Sequence, residues 1–406
     1  MRPVYRRQDG SYTPTSSGRL LDAIGRPHVA VTVCDVLFDR QVIAEGLALA
    51  DWRVTYDRGA ANLGRCDVTF AEPTRVEGTD TDILSPFGYE LRLWHGIRFT
   101  TPATANIAAY DDDEVVHGGD TVLYGSAAVT VVDDVAPLGV FPIQTDDVDG
   151  AALAARVTAA DRSQLVADVG IENDYEIAAG TNYVDAIVAL IDAGVPGLEY
   201  SMAPTPHVTP LLVFAAGTNR WQAAQRMASS IGCELFFGGL GEVVMRVAPN
   251  VLSADPVAEL HEGVGGVLTG ISRRRDRGPA YNRVTVSSSN SSSGEVFTAV
   301  VTDDDPSSPT YYDGPFGRKP RPPITSPYVA SDAQATDMAL RELGANLGVA
   351  RSLNMTIDPH PLLEVSDVVS IRRAALGVDE VQVLDVIQIG SSGMTCESRA
   401  RQEAAA

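Results

Sequence analysis

The chain has 406 residues, 45% of them hydrophobic and 21% charged, enough apolar material for two to four domains with packed cores. No apolar run approaches the ~20 residues of a membrane span. Met1–Gly10 carries positive charge with no apolar stretch behind it, so neither a membrane anchor nor a secretory signal is expected. The formal net charge of −22 argues against sequence-specific nucleic-acid binding. It fits a solvated acidic surface, or a passage through which DNA slides without sticking.

In chain order, residues 1–18 are polar and predict an arm that orders only against a partner. From Pro27 the pattern turns to short strands. They include His28–Asp35, Gln41–Gly46, Leu49–Tyr56, Arg65–Phe70 and Tyr89–Gly96, with Leu91 and Leu93 on one face of the last and Glu90, Arg92 and Trp94 on the other. Such spacing suggests a small sandwich or barrel. Two similar segments follow, Gly180–Gly194 and Gly217–Gly232. Each opens on Thr or Asn suited to capping, carries apolar residues at helical spacing and stops at Gly, which predicts two helices. Cys233–Phe237 and Glu242–Val247 flank Gly238-Gly-Leu-Gly241 and predict a hairpin. Strands resume at Tyr281–Val286 and Glu295–Thr302 around a polar loop, Ser287–Gly294. The proline-rich Pro315–Pro327 must be extended, Ser331–Gly348 reads as a capped helix, and strands at Ser352–Ile357, Val368–Arg372 and Val381–Ile389 close the chain before a frayed tail.

Residues that could carry chemistry are scattered. Cys34, Cys66, Cys233 and Cys396 form no Cys-x-x-Cys pair and read as reduced, buried small hydrophobes. His28, His95, His117, His207, His261 and His360 show no one-turn helical pair. Gly238–Gly241 is followed by a β-branched strand, where a phosphate cradle needs a helix N-terminus. Gly390-Ser-Ser-Gly lacks the nucleophile-elbow frame. The acidic runs Asp111–Glu114 and Asp303–Asp305 have no calcium-loop frame and read as solvated loops. Trp52, Trp94 and Trp221 fit core packing. No catalytic, cofactor-binding or metal residue is singled out, and no cofactor is expected.

The third section carries a family resemblance. Asp303-Asp-Asp-Pro-Ser-Ser-Pro-Thr, Gly314-Pro-Phe-Gly, Thr325-Ser-Pro, Asp332-Ala-Gln-Ala and Pro359-His-Pro-Leu-Leu-Glu-Val-Ser-Asp follow in the order of a family of actinobacteriophage minor tail proteins. Ser85-Pro-Phe-Gly, Leu138-Gly-Val-Phe-Pro-Ile, Ala159-Ala-Asp-Arg and Tyr281-Asn-Arg-Val fit more loosely. The family resembles the baseplate hubs of contractile-tailed phages and the N-terminal hub part of tail-associated lysins. The resemblance implies a mainly β fold with an α+β insertion: two tube-like β-barrel or sandwich domains plus a helix-containing middle domain. The division expected is an arm at 1–18, a first tube-like domain at 19–165, the helix-containing domain at 166–260, a second tube-like domain at 261–398 and a tail at 399–406. It further implies a non-enzymatic homotrimer at the distal end of the virion tail, a pseudo-six-fold ring lining the DNA ejection channel. Tail-tube proteins would lie above it, a fibre or spike below, and a tape measure protein in the lumen. A tail-associated cell-wall hydrolase and a host-binding module are the alternatives.

Overall fold

The computed structural model describes residues 1–8, 11–60, 63–70, 82–102, 129–149, 154–248, 254–289, 296–329, 331–348 and 351–400. The fold is mainly β with helical insertions, as expected. Alternation decides the largest element. Trp52, Val54 and Tyr56 are buried while Asp51 and Arg53 between them are exposed, so the strand Leu49–Asp57 must cover a core with one face and meet water with the other. Seven further strands continue it into an eight-stranded antiparallel sheet. The order is 268–275, 351–357, 393–400, 378–390, 49–57, 64–70, 154–160 and 129–149.

The strand Val129–Asp149 belongs to two sheets. Its first part pairs with Tyr89–Pro102, which leads on to Val29–Phe38 and Gln41–Ala44; its last part, from Ile143, pairs with Ala154–Ala160. Val378–Gly390 does the same in the C-terminal section, pairing with Val368–Arg373 as well as Gly393–Ala400. One hydrophobic core fills the space behind the eight-stranded sheet. It takes Val54, Leu91, Leu93 and Phe141 from the N-terminal section and Leu353, Met355, Ile387 and Ile389 from the C-terminal one. Leu91 and Leu93 thus face this core, as the alternation predicts, while Trp94 packs on the opposite face against Tyr5 and Tyr12.

The two predicted helices form at Tyr183–Asp192 and Arg220–Ser230. Asn182 and Asn219 cap them, accepting from Val184 N at 2.8 Å and from Gln222 N at 2.9 Å. They pack with the predicted hairpin, Cys233–Phe237 and Val243–Val247, around Ile187, Leu190, Trp221 and Met227. A third core, not anticipated, joins the helix Asp332–Gly348 to the strands Arg283–Ser288 and Thr298–Thr302 through Val284, Val286, Ala335, Ala339 and Leu343.

Three expectations need correction. The N-terminal arm does not wait for a partner: Val4–Gln8 pairs with Ser11–Thr15 and with Asp133–Val135 of its own chain. Charge supplies the reason, because Arg6 of the arm and Arg19 just beyond it neutralise the fully buried Asp134 at 3.3 and 2.7 Å. Asp303 is not a solvated acid: it is fully buried, accepting from Ser308 Oγ at 2.6 Å and Thr310 Oγ1 at 2.7 Å. The polar loop after Val286 begins later than expected, since Ser287 and Ser288 still pair within the sheet; residues 290–294 lie outside the described residues.

Candidate functional site: the strand junction and its fastenings

The feature that organises the molecule is the seam where the two β sections meet. Val386–Gly390 lies antiparallel to Arg53–Asp57, with Ile387 opposite Tyr56 and Ile389 opposite Val54. All four side chains are buried, so the seam is sealed on its inner face by apolar contact and along its length by backbone hydrogen bonds. Gly390 permits the close approach: a Cβ there would lie 2.6 Å from the Trp52 carbonyl oxygen.

Polar fastenings surround the seam. Arg58 reaches Glu234 at 3.1 Å and Asp385 at 3.8 Å, and Arg246 reaches Glu234 at 3.4 Å and Glu364 at 3.7 Å. Arg2 is buried, donates to the carbonyls of Pro361 and Leu363 at 2.9 Å each, and lies 4.6 Å from the Tyr56 ring centroid. Arg2, Tyr56, Arg58, Glu234, Arg246 and Glu364 line a crevice of about 340 Å³ where the N-terminus, both β sections and the hairpin 233–247 converge. Burial raises the carboxyls of Asp367 and Asp385 above the usual range and lowers the guanidinium of Arg399, which lies 3.4 Å from Asp385.

A second fastening is deeper. Arg162 forms a bidentate pair with Glu90 at 2.8 and 2.6 Å and donates to the Gly241 carbonyl at 2.9 Å. The glycine run is therefore a close-packing turn. A Cβ on Gly239 would sit 2.6 Å from the Pro137 carbonyl oxygen, and Gly241 has φ +84°.

The motifs behind the resemblance prove to be fasteners of this kind. Asn282 donates to the carbonyls of Thr310 and Gly317 at 3.0 and 2.9 Å and accepts from Lys319 N at 2.8 Å, tying three of the quoted segments together. The Pro359–Asp367 segment grips the first residues of the chain through Arg2 and through Met1, whose amine is 3.3 Å from Glu364 and 3.5 Å from Asp367.

The titratable residues weighed from the sequence do not converge. His95 sits under Trp52, with ring centroids 5.0 Å apart, and burial pushes it down to about 4. His360 is buried elsewhere and is also pushed down to about 4. His28 and His207 are exposed and His261 is half-buried, while His117 and Asp111–Glu114 lie outside the described residues. All four cysteines are free and buried, as expected, and burial pushes the Cys396 thiol up to about 12. Trp52, Trp94 and Trp221 are all buried core residues, also as expected. Among the described residues no group of three or more His, Cys, Asp or Glu is placed to hold a metal. Sequence reasoning missed the seam entirely, because nothing local marks which edge strands will meet.

No family model matches the sequence, and no curated protein matches it. Solved structures do. A tail protein from Neisseria meningitidis superposes with a TM-score of 0.61 at 14% identity, covering 91% of this chain and 96% of the other. The 43 kDa tail protein of prophage MuSo2 from Shewanella oneidensis gives 0.53 at 12% identity over 98% of both chains. The prophage tail protein gp18 from Listeria monocytogenes gives 0.53 at 10% identity over 92% and 95%. Over nearly its whole length, this chain has the fold of these tail proteins, two of them from prophages.

Proposed function

We propose that the protein is a structural hub subunit of a phage tail tip, a homotrimer whose two β sections stand side by side in a pseudo-six-fold ring. The observation that carries this reading is the seam: one chain supplies two four-stranded half-sheets, 49–57/64–70/154–160/129–149 and 268–275/351–357/393–400/378–390, already joined edge to edge. The tail-protein fold across the full length supports it. Three copies carry six half-sheets, so a three-fold object presents six nearly equivalent units to a six-fold tube and three identical sites to a fibre or spike. In this reading residues 19–165 and 261–398 are the tube-like domains and 166–260 is the domain outside the ring. The ring sits at the distal end of the tail, admits a tape measure protein and then DNA, and performs no catalysis of its own.

The channel lining follows from the face of the sheet turned away from the core. Its exposed charges include Asp51, Asp67, Asp147 and Glu397 against Arg53, Arg65, Arg156 and Arg274. In this reading the lining carries both signs, and a surface of mixed charge neither concentrates nor expels a polyanion strongly. Antibodies to this protein, visualised with gold on negatively stained particles, should label the distal tail end. Labelling of capsids or of fibre shafts overturns the reading.

A further inference from the structure

The acidic chain reverses its sign locally. Residues 273–283 and 312–321 together hold eight cations, the chain's single lysine among them, against two carboxylates, in a protein of net charge −22. The first stretch begins where the strand Leu268–Arg275 leaves the eight-stranded sheet. The fold zips the two stretches together. Asn282 N donates to the Lys319 carbonyl at 3.1 Å and Arg321 N to the Arg283 carbonyl at 2.8 Å. The Lys319 ammonium donates to the Arg277 carbonyl at 2.8 Å, and the Arg277 guanidinium to the Phe316 carbonyl at 2.9 Å.

Aromatic rings hold the cationic heads in place. Arg277 lies 5.2 Å from the Phe316 ring centroid, Arg318 5.2 Å from that of Tyr312 and Lys319 5.1 Å from that of Tyr281. The two carboxylates do not silence the patch. Asp276 meets Arg274 and Asp313 meets Arg318, each at 2.7 Å, but both pairs lie in water, where such bridges contribute little. Arg321 is neutralised by Glu342. Arg273, Arg275 and Arg277 are exposed and have no ion pair among the described residues. At the Tyr312 end the patch stops against acid, since Tyr312 N donates to the carbonyl of Asp303, the first residue of the run Asp303–Asp305, at 2.9 Å.

We infer that this patch docks a short acidic segment of a partner protein, one that presents several carboxylates within a few residues. Guanidinium forks suit carboxylates, and the heads are already positioned. Length decides against nucleic acid. A long polyanion overruns the patch and meets the rest of a strongly acidic chain, which repels it. A short segment feels the patch alone, because charges beyond about 8 Å are screened at physiological salt. The inference stands apart from the hub reading and names no position in the tail.

The test uses the full chain and a fluorescein-labelled deca-glutamate peptide, followed by fluorescence anisotropy at low salt. Saturable binding that weakens as salt is added is expected. Arg277→Glu/Arg318→Glu should weaken it at least about tenfold with unchanged circular dichroism. Arg26→Glu/Arg226→Glu, the same charge change at exposed positions elsewhere, should alter it less than about twofold. Carbodiimide coupling of the bound peptide to the wild-type chain should place the new amide at Lys319, and this readout needs no variant to fold. Equal losses in the two variants, or coupling that spares Lys319, overturn the placement. No binding of deca-glutamate, or tighter binding of labelled single-stranded or duplex DNA, overturns the acidic-segment assignment. Each of these outcomes leaves the hub reading to the gold-labelling experiment.

Discussion

The internal seam and the outer strands of the same sheet, 268–275 and 129–149, differ in side-chain chemistry. At the seam, Val54 and Tyr56 meet Ile387 and Ile389 and all are buried; the outer strands hold Arg273, Arg275, Asp146 and Val148, all exposed. A contact made once, during folding, can be apolar, because it never meets water afterwards. An edge that stays in water cannot be apolar without inviting indiscriminate pairing. Charged side chains on an outer strand keep it soluble.

Substitutions sharpen that contrast. The largest loss is expected from Arg162→Ala, which strands Glu90 as an unpaired buried carboxylate and removes the tie to Gly241; about 3–5 kcal/mol should disappear in urea denaturation. Ile387→Ala opens a cavity in the seam and should cost about 2–5 kcal/mol by the same measurement, with the two β sections still melting together because they share one core.

Acid is expected to act next. Burial holds His95 and His360 neutral, near 4 in the fold against 6.5 unfolded. Between those values the unfolded chain binds more protons, so their contribution to stability is lost as pH falls from 6.5 through 4. Asp367 and Asp385, raised by burial, act in the opposite sense: the folded chain holds more protons above 3.8, and stability drops as pH rises from there. A His95→Gln/His360→Gln chain should therefore lose less stability than wild type between pH 6.5 and 4, read as denaturation midpoints. An equal loss in both would show that the imidazoles are not the acid-sensitive groups. The smallest effect belongs to the open edge: Asp147→Asn should leave the single chain's stability within about 0.5 kcal/mol of wild type.

Local elements were legible in the sequence wherever a short-range rule governs them. Asn182 and Asn219 mark helix starts, Gly238–Gly241 marks a turn, and the alternation at Leu91 and Leu93 marks a buried face, because each signal lies within a few residues of its consequence. The strand Val129–Asp149 escaped notice because Pro137, Gly139 and Pro142 interrupt its pattern; the bend they permit is what lets one strand serve two sheets. Asp303 was misread for want of its hydroxyl partners, although Ser308 and Thr310 stand close behind it. The seam was illegible because its two strands, Arg53–Asp57 and Val386–Gly390, lie more than 300 residues apart and no local signal marks that they meet.

The seam also sets a timetable. Leu49–Asp57 leaves the ribosome early, yet the strand that seals its outer edge ends at Gly390. At ~5–20 residues per second, that edge waits roughly 20–70 s with its backbone groups unpaired. Throughout that interval the nascent chain displays an apolar strand that fits the Val386–Gly390 segment of any finished or half-finished neighbour on the same messenger. Crowded translation thus favours exchange of C-terminal strands between nascent chains, and slower spacing of ribosomes over the final third of the message should raise the yield of correctly closed protein.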